Sequence, residues 1–154
     1  MKKLFLCSIF LFTLALTACA EGNEMANRQK GKITNPKIFV TVAGKKVGAT
    51  LVDNKATRAL IELLHEGDVT VKADDYGGFE KVGEFGSRLP TMNEQIKTVP
   101  GDIILYQGTS ICFYYSTNSW NFTRLGKLDI NDEKEIREFL LAGKGRVDIV
   151  LSLK

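Results

Sequence analysis

GDIILYQGTSICFYY, residues 101–115, reads as a β-hairpin before the rest of the chain is considered. Ile103 to Tyr106 and Ser110 to Tyr115 are short runs rich in β-branched and aromatic residues, and Gln107-Gly108-Thr109 between them supplies the glycine a tight turn uses. Ile111, Phe113 and Tyr115 fall on one face of the second run, as core residues of a strand do. Working outward, Asn121 to Leu128 predicts a further strand, interrupted at Gly126. Asn131 or Asp132 then caps a helix with Ile136, Phe139 and Leu140 on one face and Gly143 at its end. Arg146 to Leu153 alternates again. Upstream, Asp74 to Pro100 is long, irregular and studded with glycine; such a segment is functional or carries short strands of its own. Val69 to Ala73 is a strand before it. Asp53 or Asn54 caps a first helix whose apolar positions Ala56, Ala59, Leu60, Leu63 and Leu64 recur at helical spacing and which Gly67 ends. Lys37 to Val42 and Val47 to Val52 alternate as strands around a turn at Ala43 to Lys46. About eight short strands and two helices make a mainly antiparallel barrel or sandwich plugged by helices. No phosphate-binding glycine loop and no internal repeat interrupts this pattern.

The amino terminus sets the expected location. Lys2 and Lys3 precede an apolar run from Leu4 to Leu16, about 13 residues against the roughly 20 that span a bilayer. Leu16-Thr17-Ala18-Cys19 resembles the lipobox of bacterial lipoproteins, in which the cysteine thiol is lipidated and the peptide is cut before it. Residues 1–18 are then a signal peptide, 19–36 a lipidated cysteine and polar tether, and 37–154 the folded domain. An ordinary secretory signal and a retained anchor are the competing readings. Ala20 is not the aspartate that retains such proteins at the inner membrane, so the resemblance implies an outer-membrane address if the source is Gram-negative. A tether of about 17 residues at 3.3–3.6 Å each reaches at most about 60 Å from the lipid.

Composition narrows the partners. The chain has 21 Lys and Arg against 18 Asp and Glu, two of the lysines in the leader, and this near balance argues against a nucleic-acid partner. Cys7 leaves with the leader and Cys19 takes the lipid, so Cys112 remains alone, without a disulfide or a cysteine metal site. His65, the single histidine, sits at a helix end where the dipole favours a cation. No triad, zinc site or cofactor motif is present. Asp74-Asp75 lacks the spacing of a calcium loop.

Asp75-Tyr76-Gly77-Gly78-Phe79-Glu80-Lys81, Leu89-Pro90, Gly101 to Tyr106 and Phe122-Thr123-Arg124-Leu125-Gly126-Lys127-Leu128 resemble, in order and spacing, the bacterial cyclophilin-like domain family. The resemblance runs from about Lys37 to Leu153. It implies a closed eight-stranded antiparallel β-barrel with a helix covering each end. It also implies a groove on the barrel wall, built by residues 74–90 and the strands from Ile103 to Tyr115. Tyr76, Phe79, Tyr106, Phe113, Tyr115 and Trp120 concentrate aromatic side chains in that half, with Glu80, Arg88 and Arg124 as polar handles for a peptide or small molecule. The plain structural reading stands beside each: core for the aromatics, surface ion pairs for the arginines, a solvated pair for Glu80-Lys81. Cyclophilins proper isomerise X–Pro bonds with an arginine in an apolar pocket. Here the matching strand holds Lys72 and not the Phe-His-Arg signature, so a divergent prolyl isomerase is the alternative to a binding domain of unassigned activity.

Overall fold

The computed structural model describes residues 35–154. The expected signal peptide, Cys19 and the tether as far as residue 34 lie outside the described residues. In chain order the elements are β1 (Lys37–Val42), β2 (Lys45–Leu51), α1 (Lys55–Glu66), β3 (Val69–Tyr76), β4 (Glu80–Glu84), β5 (Glu94–Lys97), β6 (Asp102–Tyr106), β7 (Ser110–Tyr114), β8 (Ser119–Leu128), α2 (Glu133–Phe139) and β9 (Val147–Ser152). The strands follow one another in the order β2-β1-β9-β3-β4-β7-β6-β8, and β8 pairs back onto β2. All of these pairings are antiparallel, so eight strands close a barrel. Closure leaves these strands no open edge in the wall.

The ninth strand, β5, lies outside that ring and pairs only with the first part of β8, from Ser119 to Phe122. Later residues of β8 pair with β6 and then with β2. Gly126 does not interrupt the strand, as its sequence suggested. It lies inside the ladder opposite Ile103 and Leu51, because a Cβ there would stand 2.4 Å from the Thr50 carbonyl oxygen. The extra residue is Leu125, which makes a bulge between Arg124 and Gly126.

Alternation along each strand divides the apolar residues between the two sides of the wall. Ile38, Val40, Leu51, Val71, Ile103, Leu105, Ile111, Phe113, Leu125, Ile149 and Leu151 fill the interior. The helices complete that core. Ala56, Leu60 and Leu64 of α1 and Ile136 and Phe139 of α2 belong to it. Asn54 caps α1 through a reciprocal pair of bonds with Thr57, and its amide also donates to the Arg124 carbonyl at 2.7 Å, tying the helix start to β8. Asp132 caps α2 by accepting the Glu135 N–H at 2.8 Å. Among the described residues no helix is long and apolar enough to cross a membrane.

Candidate functional site

The outward positions of the wall build a second, separate cluster. Glu80 and Tyr114 are register partners on β4 and β7, and Val82 lies opposite Cys112 on the same strands. Cys112 in turn faces Ile104 of β6, and Ser110 faces Tyr106. Because side chains alternate, Glu80, Val82, Ser110, Cys112, Tyr114, Ile104 and Tyr106 all leave the barrel on its outside. Phe122 and Trp120 arrive from the part of β8 that β5 holds, and Ile96 of β5 packs into the same cluster. The result is a cavity of about 480 Å³ between these side chains, with Tyr76 and Asn118 at its margin. That volume is in the range of small-molecule sites, about 300–1,000 Å³.

Aromatic rings define its shape. Phe79 stacks on Tyr114 with centroids 6.0 Å apart and meets Tyr76 edge-on at 5.9 Å. Phe122 stands between Tyr106 and Tyr114 at 6.2 and 6.0 Å. Tyr76 and Trp120 are the open rim, 64% and 60% exposed. Gly77 makes the Phe79 placement possible: a Cβ there would sit 2.1 Å from the ring, and its φ of 58° suits glycine. Buried Thr98 holds Asn118 in place, its N–H and hydroxyl donating to the Asn118 carbonyl at 2.8 and 3.1 Å.

Glu80 is the polar centre. It is 6% exposed, and its Oε2 has no hydrogen-bond partner; neither has the buried Tyr114 hydroxyl. Burial raises the Glu80 carboxyl above its ordinary value, and the adjacent Tyr114 and Cys112 oppose that only in part. Burial first, and the carboxylate second, push the Tyr114 hydroxyl up. Burial first, and then Glu80, push the Cys112 thiol up as well.

Of the residues picked out from sequence, Tyr76, Glu80, Tyr106 and Trp120 come together on this cavity, and Phe79 supports it from behind. Others go elsewhere. Phe113 and Tyr115 turn into the barrel, 0% and 1% exposed, because they have the opposite strand parity to Cys112 and Tyr114. Arg124 pairs with buried Asp102 at 2.7 Å, and Arg88 donates to the Gln107 carbonyl at 3.0 Å on the β6–β7 turn. Glu80 and Lys81 are not a solvated pair. They point to opposite sides of the wall, and Lys81 is wholly buried against Asp75 at 2.8 Å. Tyr114, Phe122, Cys112, Val82, Ser110 and Asn118 complete the lining and were not singled out. The parity opposite to the Ile111-Phe113-Tyr115 face was the available signal for Tyr114 and Cys112.

A model described as the cyclophilin-like family matches residues 40–152. The chain belongs to the cyclophilin-like family. A comparison with curated proteins finds no match. Among solved structures, this cyclophilin-like chain is similar to McbB in complex with tryptophan, at 17% identity and a TM-score of 0.56. That match covers 75% of this chain and 44% of McbB, so the chain spans less than half of that protein's length. The likeness is one of fold. Among the described residues no arginine lines the wall cavity, whose charged member is the carboxylate of Glu80.

Proposed function

We propose that this protein is a lipid-anchored ligand-binding domain of the cell envelope that receives a small molecule with an aromatic or apolar body in the wall cavity. One observation carries the binding half of this reading. A cavity of about 480 Å³ is framed by aromatic rings and contains two buried polar groups, Glu80 Oε2 and the Tyr114 hydroxyl, that stand side by side and, among the described residues, complete no hydrogen bond. Buried polar groups are paired in the great majority of cases, so this loosely joined carboxylate and hydroxyl, both facing the cavity, favour a polar partner from outside. McbB, similar in fold, was solved with tryptophan. An aromatic amino acid is accordingly a reasonable first probe.

Anchoring rests on the lipobox-like Leu16-Thr17-Ala18-Cys19. Labelled palmitate is expected to enter the full chain in cells and to be absent from Cys19→Ser; labelling that survives the substitution removes the anchor. For binding, ligand-observed NMR over a panel of aromatic small molecules should return hits. Those hits weaken at least fivefold in Trp120→Ala, whose exposed side chain can be removed without lowering the melting temperature. Hits that bind Trp120→Ala and the intact chain equally place the ligand elsewhere and overturn the cavity.

A further inference from the structure

We infer that the ligand of the wall cavity carries an organic ammonium group, which Glu80 receives among the aromatic rings. This rests on the cavity being the binding site and adds the chemical class of what it binds.

The argument begins with how the fold treats its other buried charges. Lys81, fully buried, lies 2.8 Å from Asp75 and also donates to the Gly145 carbonyl. Asp102, 2% exposed, is 2.7 Å from Arg124 and accepts the Val99 N–H at 3.0 Å. Glu80 breaks the pattern. It too is buried, at 6% exposed, yet it takes part in none of the ion pairs among the described residues. Its neighbours in the cavity, Tyr114 and Cys112, are neutral groups and bring no positive charge. A buried carboxylate without a cation is costly, and a group that supplies the cation recovers that cost on binding.

The rest of the lining selects which cation. A metal ion needs several strong ligands gathered about one point, and the described residues hold no group of three His, Cys, Asp or Glu side chains that could supply them. Among the described residues no Lys or Arg side chain lines the cavity. Tyr76, Tyr106, Tyr114, Trp120 and Phe122 present ring faces and edges around the same space. Such faces attract a cation lying within about 6 Å of the ring centre and accept an apolar body equally well. An ammonium on an aliphatic or aromatic stem satisfies both. It gives one N–H to Glu80 Oε2, leaves another for the Tyr114 hydroxyl oxygen, and sets its stem against the rings. An anionic ligand would meet the carboxylate directly and be rejected.

Trp120 is the only tryptophan of the chain and stands at the cavity mouth, so its fluorescence reports on occupancy. The full chain is titrated near neutral pH with 2-phenylethylamine, its neutral counterpart 2-phenylethanol and the anion 3-phenylpropanoate. The amine is expected to bind about tenfold more tightly than the alcohol, and the anion more weakly than either. Glu80→Gln, checked for an intact melting transition, cancels the preference for amine over alcohol while the alcohol still binds. Where that variant fails to fold, the order of the three ligands on the unmodified chain decides. Equal binding of amine and alcohol, or tighter binding of the anion, overturns the ammonium and leaves the cavity reading standing. Absence of all three while other aromatics bind does the same. If nothing binds in either experiment, both fall. Nα-acetyl-lysine methylamide, run alongside, separates two sources of the same chemistry: binding equal to the amine assigns a protein lysine, and binding by the free amine alone assigns a small molecule.

Discussion

Glu80 and Lys81 are consecutive on β4, both nearly sealed from solvent, and the fold treats their charges in opposite ways. Asp75, which holds Lys81, also accepts the Gly143 N–H at 3.0 Å, the Gly145 N–H at 2.8 Å and the Tyr115 hydroxyl at 3.0 Å. Burial alone would raise the Asp75 carboxyl, but those bonds prevail and hold it at about 2, while burial and Asp75 push Tyr115 up to about 12. The stabilisation due to Asp75 is therefore present above its ordinary value of 3.8 and lost as pH falls toward 2. Glu80 has the reverse sign. Its carboxyl titrates higher in the folded chain than its ordinary 4.5, so its contribution is intact below 4.5 and lost as pH rises through the folded value. Removing the charge should then help the fold at neutral pH. We predict that Glu80→Gln is more stable at pH 7 by roughly 1 kcal/mol and that the gain vanishes by about pH 4, as read from melting curves across that range. A variant less stable at pH 7 would show that the carboxylate is already compensated. Neighbouring charges in a sequence read as a solvated pair, and only the alternation of a strand covered on both sides explains why these two never meet.

Among the elements, β8 carries the most. Its ten residues pair in turn with β5, β6 and β2, and the last of these contacts closes the barrel through the pairs Ala49–Leu128, Thr50–Lys127 and Leu51–Gly126. The two strands approach so closely at Gly126 that a methyl group would lie 2.4 Å from one backbone atom of β2 and 2.9 Å from another. Backbone cannot yield as a flexible side chain does. Gly126→Ala is expected to cost about 3 kcal/mol, seen as a lower urea midpoint, because strain is either stored at the seam or relieved by parting it. Stability within about 0.5 kcal/mol of the parent would mean the seam is softer than it looks. This element also marks the limit of what the sequence disclosed. The hairpin at 101–115, both helix N-caps and the terminal strands were legible from local pattern, since turn and capping chemistry is written in adjacent residues, whereas the second helix stops at Phe139, short of the expected Gly143. The short strands β4 and β5 were not located within the long stretch from Asp74 to Pro100. Glu94-Gln95-Ile96-Lys97 has one apolar residue and becomes a strand only because β8, more than twenty residues later, supplies its partner.

On the scale of the whole molecule, the wall between β6, β7 and β8 is one strand thick and has a core on each side. Inside, Ile103, Leu105, Ile111 and Phe113 join the helices in the main core; outside, Ile104, Cys112, Tyr114 and Phe122 make the smaller one that opens into the cavity. A sequence shows alternation without saying which side is enclosed by the barrel, and this is why Phe113 and Tyr115 looked like site residues while Tyr114 did not. The same geometry separates stability from binding. Leu105 and Tyr106 are adjacent on β6, yet Leu105 is wholly buried in the interior and Tyr106 lines the cavity. Leu105→Ala leaves a void that the closed barrel cannot collapse around and should cost about 3 kcal/mol, with the dissociation constant of a cavity ligand unchanged in the molecules that remain folded. Tyr106→Ala removes a partly exposed ring packed edge-on against Phe122, and should cost about 1 kcal/mol of stability while weakening the ligand about tenfold. Urea denaturation and ligand titration on the same two variants measure both quantities. If Leu105→Ala weakens the ligand as much as Tyr106→Ala does, the interior and not the wall holds the site, and the outer cavity loses its role.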